Sequence, residues 1–331
     1  MLDVLLQLGL FSAKALILLV VILVLLAGIL ALLGRGKEKT SGKISIKNLN
    51  KKYIGITEAL FQEILPKKEF KHYLKKQNAE KKTEKTDKKN IFVIDFHGDV
   101  KASAAASLSE EVTAILSVAT PKDEVVVRLE STGGMVHAYG LAAAQLTRFR
   151  HKQIPLTVIV DKVAASGGYL MASVANKILA APFAMIGSIG VIVQLPNFHR
   201  LLQEKHVDFE QITAGSFKRT LTMFGHNTEE GREKLRQEVE EIHQLFKKSI
   251  QQYREHIDIA KVSTGEVWVG TQALELNLVD EVQTSDDYLL EASKAANIFK
   301  ISYHTKKSLV EKITTGIDTL MRQILSVYKP L

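Results

Sequence analysis

The chain has 331 residues, a net charge of +8 and 46% hydrophobic residues, which suits one large folded domain with appendages. It contains no cysteine, so disulfides, thiolate catalysis and cysteine-ligated zinc are excluded. The positive charge is concentrated in residues 34–90, where 17 Lys and Arg stand against 7 Asp and Glu.

Residues 1–33 are predicted to form a transmembrane anchor. The run 15–33 is uncharged and mostly apolar, and its 19 residues are enough for a helix to cross a bilayer. A cleavable signal peptide needs a basic start and a small-residue cleavage site, and this N-terminus has neither. We therefore expect the anchor to be retained.

Residues 34–90 are predicted to be a lysine-rich tether. Apolar residues recur at helical spacing over 44–65, which indicates an amphipathic segment, and residues 67–90 are nearly all polar. A basic stretch that follows an apolar span can contact lipid headgroups, although a solvated linker is the simpler interpretation. The boundary of the folded domain is placed near Asn90.

Beyond Asn90, strand and helix patterns alternate. Strand patterns lie at 91–96, 124–129, 155–160 and 177–180, and helical patterns at 103–118, 136–150 and 168–176. This order predicts a mainly parallel sheet in a domain over 91–300, with the active site at the carboxyl ends of strands. Amphipathic patterns follow at 228–256 and 308–331, and we assign 301–331 to a C-terminal amphipathic helix.

Ser166, in the segment AASGGY, is the candidate nucleophile. A serine at a strand-to-helix turn can face a cleft while the N–H of Gly167 points toward a bound carbonyl. Gly133 and Gly134 end a neighbouring strand and bring a second N–H close, since glycine has no side chain to block a substrate. Gly133, Gly134 and Gly167 are therefore the candidate oxyanion hole.

Lys218, in the segment GSFKR 52 residues after Ser166, is the candidate general base. A lysine is normally protonated, and burial favours its neutral form. Lys218 follows a low-charge stretch, 214–217, which can be buried. Ser188 lies in a glycine-rich turn and has a hydroxyl that can orient a neutral lysine amine.

Other assignments are open at this point. Turns rich in Gly, Ser and Ala are common in sheet proteins, so each segment taken alone is more often structural. Lys162 is a rival base, and His97 or His137 with Asp95 or Asp161 is a rival triad. No metal-protease, nucleotide-binding or dinucleotide motif is present, so we expect no metal, no cofactor and no nucleic-acid partner.

The chain resembles the signal peptide peptidase A family of bacterial membrane serine proteases, and most of all its SohB-type branch. The similar segments are IFVIDFHGDVKAS, RLESTGGMVHAYGLAAAQL, VDKVAASGGYLMA, APFAMIGSIGV, TAGSFKRTLTMFGHNTEEGREK and WVGTQALELNLVDEV. They occupy residues 91–282 in order. Two positions differ from the family pattern: Thr132 stands in place of a proline and Asn277 in place of a glycine.

The resemblance implies an α/β fold like that of Clp protease and crotonase, a spiral of ββα units preceded here by the anchor and tether. It implies a Ser/Lys dyad of Ser166 and Lys218, with Ser188 holding the amine. It also implies a homo-oligomeric ring, in which serine and lysine can come from different chains.

The function expected from the sequence is a membrane-anchored serine endopeptidase that cleaves signal-peptide remnants or unfolded and membrane proteins. The resemblance places it in the bacterial plasma (inner) membrane with the lipid bilayer as a partner. The lysine-rich flank favours a cytoplasmic catalytic domain, but charge counts govern long domains poorly, and we favour the periplasmic side. The alternatives are a non-catalytic membrane scaffold and a crotonase-type acyl-CoA enzyme.

Overall fold

The structure, a computed structural model, describes residues 42–83 and 88–304, together with 7, 9–12, 14–23 and 28. Residues 14–23 of the predicted anchor are helical, and most of 24–33 lies outside the described residues. Within the described part of the chain, no helix has both the length and the apolar character needed to span a membrane. Of the predicted C-terminal helix, residues 301–304 instead end a strand, and 305–331 lie outside the described residues.

The described residues form the following elements. The strands are β1 Lys43–Asn48, β2 Asn90–Gly98, β3 Glu124–Ser131, β4 Leu156–Val160, β5 Val163–Ala165, β6 Lys177–Ala180, β7 Met185–Gly187, β8 Val267–Val269, β9 Glu281–Val282 and β10 Asn297–His304. The helices are α1 Leu49–Ile64, α2 Lys67–Thr83, α3 Ala105–Leu116, α4 Val136–His151, α5 Gly167–Ser173, α6 His199–Glu204, α7 Glu229–Gln251, α8 Ile259–Val262, α9 Gly270–Glu275 and α10 Ser285–Ala292.

A ten-stranded, mainly parallel sheet organises these elements. Its main path runs β1-β10-β2-β3-β4-β6-β9, and β5 pairs with both β3 and β7 off this path. The pairings from β10 through β2, β3, β4 and β6 to β9 are parallel, whereas β7 and β8 are antiparallel. The mixed α/β class and the parallel sheet predicted from the alternating pattern are confirmed.

The sheet is buried on both faces, which explains why its strands read as continuous apolar runs. In β2, Phe92, Ile94 and Phe96 join the larger core, which helices α3 and α4 cover. Ile91 and Val93 point to the opposite face and pack in a smaller cluster that includes residues of α1 and α10. The turns that carry Ser166 and Ser188 extend from two strands of this sheet, β5 and β7.

The compact unit begins earlier than the predicted boundary near Asn90. It comprises residues Ile44–Tyr303 and so includes β1, α1 and α2, which the sequence had placed in the tether. Leu49 is buried in the smaller cluster. The amide of Asn50 donates to the carbonyls of Ser293 and Ala296 and accepts from the N–H of Ile298 at 2.7 Å. These contacts join α1 to the body.

Asn277, which stands where the resemblance leads us to expect a glycine, adopts the left-handed conformation. Its φ is 58°, a value that asparagine tolerates better than most residues. The guanidinium of buried Arg254 donates to the carbonyl of Asn277 at 3.1 Å and pairs with Asp280. The substitution is therefore compatible with the turn after α9.

A buried carboxyl group makes stability depend on pH. Glu111 on α3 accepts a hydrogen bond from the N–H of Tyr303 at 2.7 Å, and only 7% of the residue is exposed. Burial is the main cause that raises its pKa from 4.5 to about 7; Asp95 also raises it, while the Tyr303 bond and Lys300 lower it. The folded protein therefore holds this proton more tightly than the unfolded chain does.

Glu111→Gln is expected to weaken the pH dependence of stability. Because the folded pKa of about 7 exceeds the ordinary 4.5, the free energy of unfolding of the wild type falls as pH rises between these values. The loss is at most about 3 kcal/mol. Denaturant unfolding at pH 5 and pH 8 should show that the free energy of unfolding of the variant, relative to that of the wild type, is higher at pH 8 than at pH 5. Glu110→Gln, at an exposed neighbour, is the control, and equal pH dependence in all three proteins would contradict the prediction.

Candidate active site

Ser166 occupies a strained turn between β5 and α5. Its φ of 52° and ψ of −120° are unusual for a residue with a side chain. The turn is held by a hydrogen bond of 2.8 Å from the Ser166 N–H to the carbonyl of Gly187. Strain of this kind persists only where the surrounding structure enforces it, and it is concentrated at functional sites. The turn thus presents a half-buried serine at the start of a helix.

Gly133 packs directly against the Ser166 turn. A Cβ atom added to Gly133 would lie 2.8 Å from Ala165 O, Gly167 N and Ser166 Cβ, and its φ is +85°. Two of these three atoms belong to the backbone, so they cannot rotate away. Glycine is therefore required at this position, and the structure brings Gly133, Gly167 and Ser166 together.

A buried tyrosine that the sequence analysis missed fixes this arrangement. The hydroxyls of Tyr139 and Ser131 are hydrogen-bonded, and the Tyr139 hydroxyl also lies 2.8 Å from the carbonyl of Asp99 as a donor. Ser131 Oγ accepts from the Gly133 N–H at 3.0 Å. Burial raises the pKa of Tyr139, so its hydroxyl keeps its proton at neutral pH. The helical pattern at 136–150 gave no sign of this polar role.

The Gly133 N–H thus already donates to an acceptor within the protein, the hydroxyl of Ser131. The N–H of Gly167, another candidate oxyanion donor, is placed differently. Gly167 is the first residue of α5, and the first N–H groups of a helix have no acceptor inside it. The helix terminus also favours negative charge.

Ser188 lies next to Ser166 across two paired strands. Ala165 of β5 is paired with Gly187 of β7, and each serine follows its paired residue. Ser188 also has a positive φ, 50°, and its N–H donates to the carbonyl of Glu266 at 2.6 Å. Both hydroxyls are therefore carried by turns that the sheet holds in register.

Lys218 is placed differently. It lies on a long connection, residues 191–228, which we call the arm, and its N–H donates to the carbonyl of Gly215. The low-charge stretch before it was expected to allow burial, but residues 211–219 are exposed. Among the described residues, no hydrogen bond joins Lys218 to Ser166 or Ser188. The low charge of residues 214–217 had made burial an expectation, but composition alone does not determine whether another surface covers a segment.

The arm has little core of its own. The rings of Phe198 and Phe209 each pack against Phe224, with centroids 6.1 and 5.7 Å apart, and Lys234 of α7 lies 5.5 Å from the ring of Phe217. Much of its apolar surface stays exposed, at Ile192, Val193, Leu201, Val207, Ile212 and Phe217. An apolar surface of this kind is typical of a protein–protein contact.

The rival base Lys162 and the rival aspartate Asp161 have other partners. Lys162 Nζ lies 3.0 Å from Glu130, and 71% of its side chain is exposed. Asp161 accepts from the N–H and hydroxyl of Ser285. In the described part of the chain, no hydrogen bond links Lys162, His97 or His137 to Ser166.

The second aspartate of the rival triad is also engaged. Asp95 receives a bidentate bond from Arg128, at 2.7 and 2.8 Å, and pairs with Lys300. Burial opposes ionisation, but the bonds from Arg128 and Lys300 hold the pKa of Asp95 below its usual range. This carboxylate stabilises the sheet face rather than a histidine.

Comparison with known families identifies the class. The model for the N-terminal part of peptidase family S49 matches residues 3–146, and the model for peptidase family S49 itself matches residues 148–299. The chain belongs to peptidase family S49. This S49 peptidase is 47% identical over 328 residues to the probable protease SohB of Haemophilus influenzae, covering 94% of this chain and 92% of the relative. The resemblance stated from the motifs and the predicted peptidase class are confirmed.

Further relatives and solved structures are similar to the S49 peptidase. The probable protease SohB of Buchnera aphidicola subsp. Acyrthosiphon pisum is 51% identical over 245 residues, which are 74% of this chain and 73% of the relative. A mutant of the 1510-N membrane-bound stomatin-specific protease in complex with a substrate peptide has a TM-score of 0.45 and 14% identity, covering 70% of this chain and 98% of that one.

Proposed function

We propose that this S49 peptidase is a membrane-anchored serine endopeptidase with a Ser/Lys dyad, in which Ser166 is the nucleophile and Lys218 the general base. The observation that carries the proposal is the strained Ser166 turn, packed against Gly133 and leading into α5 at Gly167. A serine held in this way has a fixed direction of attack, which lowers the entropic part of the barrier.

In the proposed mechanism, Ser166 Oγ attacks the carbonyl carbon of the peptide bond while its proton passes to the neutral amine of Lys218. The N–H groups of Gly167 and Gly134 stabilise the oxyanion, and each such donor contributes about 3–4 kcal/mol in other enzymes. The lysine then protonates the leaving amine. Water attacks the acyl-enzyme with the lysine again acting as the base, and Ser166 is regenerated.

The exposure of Lys218 shapes the second part of the proposal. A lysine acts as a base only when it is neutral, and burial favours that form. The arm is exposed and rich in apolar side chains in the single chain. We therefore propose a homo-oligomeric ring in which a neighbouring copy covers the arm, so that Lys218 approaches Ser166 of that copy and Ser188 orients the amine.

The proposed location is the bacterial inner membrane, with residues 1–33 as the anchor and the catalytic domain on the periplasmic side. The uncharged run 15–33 supports this, and its apolar side chains from Leu16 to Leu23 are exposed where described. The proposed substrates are signal-peptide remnants and unfolded or membrane proteins. The side branch of β5 and β7 from the main sheet supports a Clp/crotonase-like spiral of ββα units.

Ser166→Ala is expected to abolish hydrolysis of an unfolded protein by the detergent-solubilised chain, a loss of at least about 1,000-fold in kcat. Ser117→Ala, which removes an exposed hydroxyl at the end of α3, is the control and should keep wild-type activity. A fluorophosphonate probe should label the wild type and the control but not Ser166→Ala. Wild-type rates or labelling in Ser166→Ala would disprove the assignment of the nucleophile.

A further inference from the structure

Helices α1 and α2 follow one another at the start of the compact unit, and we call the pair the hairpin. Only Leu65 and Pro66 separate the two helices. The ring of Phe61 on α1 meets that of Tyr73 on α2 edge-on, with centroids 4.8 Å apart. Phe70, also on α2, stacks on the same tyrosine.

One side of α1 changes its environment along the helix. At its start, Leu49 is buried in the smaller core cluster and Tyr53 packs against that cluster. Residues three or four apart lie on the same side of a helix, and this side continues into Ile56, Leu60 and Ile64, which we call the apolar row. The row is 49%, 56% and 69% exposed at these three positions. The side that docks on the body thus continues beyond it as a bare apolar surface.

Within residues 42–83 and 88–304, the apolar row stays about half or more exposed. The contact with α2 is made by Phe61, on a different side of α1. Three large aliphatic side chains next to one another in water are unfavourable, and such a patch usually marks a binding surface. The row therefore needs a partner that is apolar where it meets α1.

The charge of the following helix indicates which partner the row has. Lys67, Lys71 and Lys75 are spaced four residues apart on α2, are exposed, and lie away from Tyr73, which packs on α1. An exposed apolar row on one helix and exposed lysines on the next are typical of segments that lie in the interface of an anionic membrane. Two copies of this hairpin facing one another would bring like charges together, which disfavours self-association here.

We propose that the α1–α2 hairpin lies on the surface of an anionic bilayer, with Ile56, Leu60 and Ile64 inserted at the headgroup boundary and the α2 lysines on lipid phosphates. The hairpin would hold the catalytic body at a fixed distance from the bilayer, as a second contact beside any anchor. This inference is independent of the Ser166 and Lys218 assignments.

The absence of cysteine allows a direct test in the full chain. Leu60→Cys carries an environment-sensitive fluorophore on the apolar row, and Gln62→Cys carries it at an exposed position on the opposite side of α1. Each protein is reconstituted into phosphatidylcholine vesicles with or without phosphatidylglycerol, and with a nitroxide near the head of a lipid chain. We expect strong quenching at Leu60 only, stronger with phosphatidylglycerol and weaker in high salt.

A triple variant, Lys67→Gln with Lys71→Gln and Lys75→Gln, should reduce quenching at Leu60 at least about twofold in anionic vesicles. Hydrolysis of an unfolded substrate by the labelled proteins in detergent should equal that of the wild type, so failure of the membrane contact is distinguishable from failure of the dyad. Equal quenching at Leu60 and Gln62, or no effect of phosphatidylglycerol, would overturn the proposal. So would protection of the Leu60 probe from aqueous iodide without lipid quenching, since a protein surface would then cover it.

Discussion

Co-expression of Ser166→Ala chains with Lys218→Ala chains is expected to restore hydrolysis to about one quarter of the wild-type rate, although each variant alone is inactive. In a closed ring with head-to-tail contacts, each site takes its serine from one chain and its lysine from the next. A random mixture of the two chains therefore contains intact pairs at about one site in four.

The prediction follows from where the single chain places the two residues. Ser166 is fixed by the sheet through its bond to Gly187, whereas Lys218 lies on the exposed arm. Because the arm exposes apolar side chains, its burial against another subunit would be favourable. Burial by that subunit would also favour the neutral amine that catalysis requires.

The measurement compares initial rates of the co-expressed mixture with those of each variant expressed alone, on an unfolded substrate in detergent. Tagging the two variants differently and purifying through both tags ensures that only mixed oligomers are assayed. If the dyad forms within one chain, every chain in the mixture lacks one member, and the mixed oligomers should stay silent. That outcome would contradict the shared site while leaving Ser166 as the nucleophile.

The sheet and the Ser166 turn could be predicted because their signals are local. The apolar runs of β2, β3 and β4 predicted buried parallel strands, and glycines beside Ser166 predicted a tight turn into a helix. The structure also explains why residue 133 is a glycine, since its surroundings leave no room for a Cβ atom. Short-range chemistry of this kind is visible in the residue types themselves.

The remaining features depend on distant contacts that periodicity does not encode. Asn50 ties α1 to the body through bonds to residues more than 240 positions away, so the helix appeared to belong to a tether. Tyr139 lies within a predicted helix, and the sequence does not show that its hydroxyl reaches Ser131 and Asp99. The low-charge stretch before Lys218 indicated burial, and the single chain leaves it exposed.

Gly133→Ala is expected to lower kcat at least about 100-fold without unfolding the protein. The new Cβ would lie 2.8 Å from Ala165 O and Gly167 N, so the chain on both sides of Ser166 would have to move. The φ of +85° is also unfavourable for alanine. Because the Gly167 N–H is a proposed oxyanion donor, a shift of a few tenths of an ångström would misplace both the nucleophile and the donor.

Gly140→Ala is the matched control for Gly133→Ala. Gly140 lies within α4, and an added Cβ there meets nothing within 4 Å. Alanine at this helical position should raise the free energy of unfolding by about 0.5–1 kcal/mol and leave hydrolysis unchanged. Initial rates, fluorophosphonate labelling and thermal unfolding of both variants make the comparison. Normal hydrolysis by Gly133→Ala would show that the turn tolerates the displacement, and it would refute the contact with Ser166 as the reason for this glycine. Loss of the fold would contradict the expectation of a folded variant with low activity.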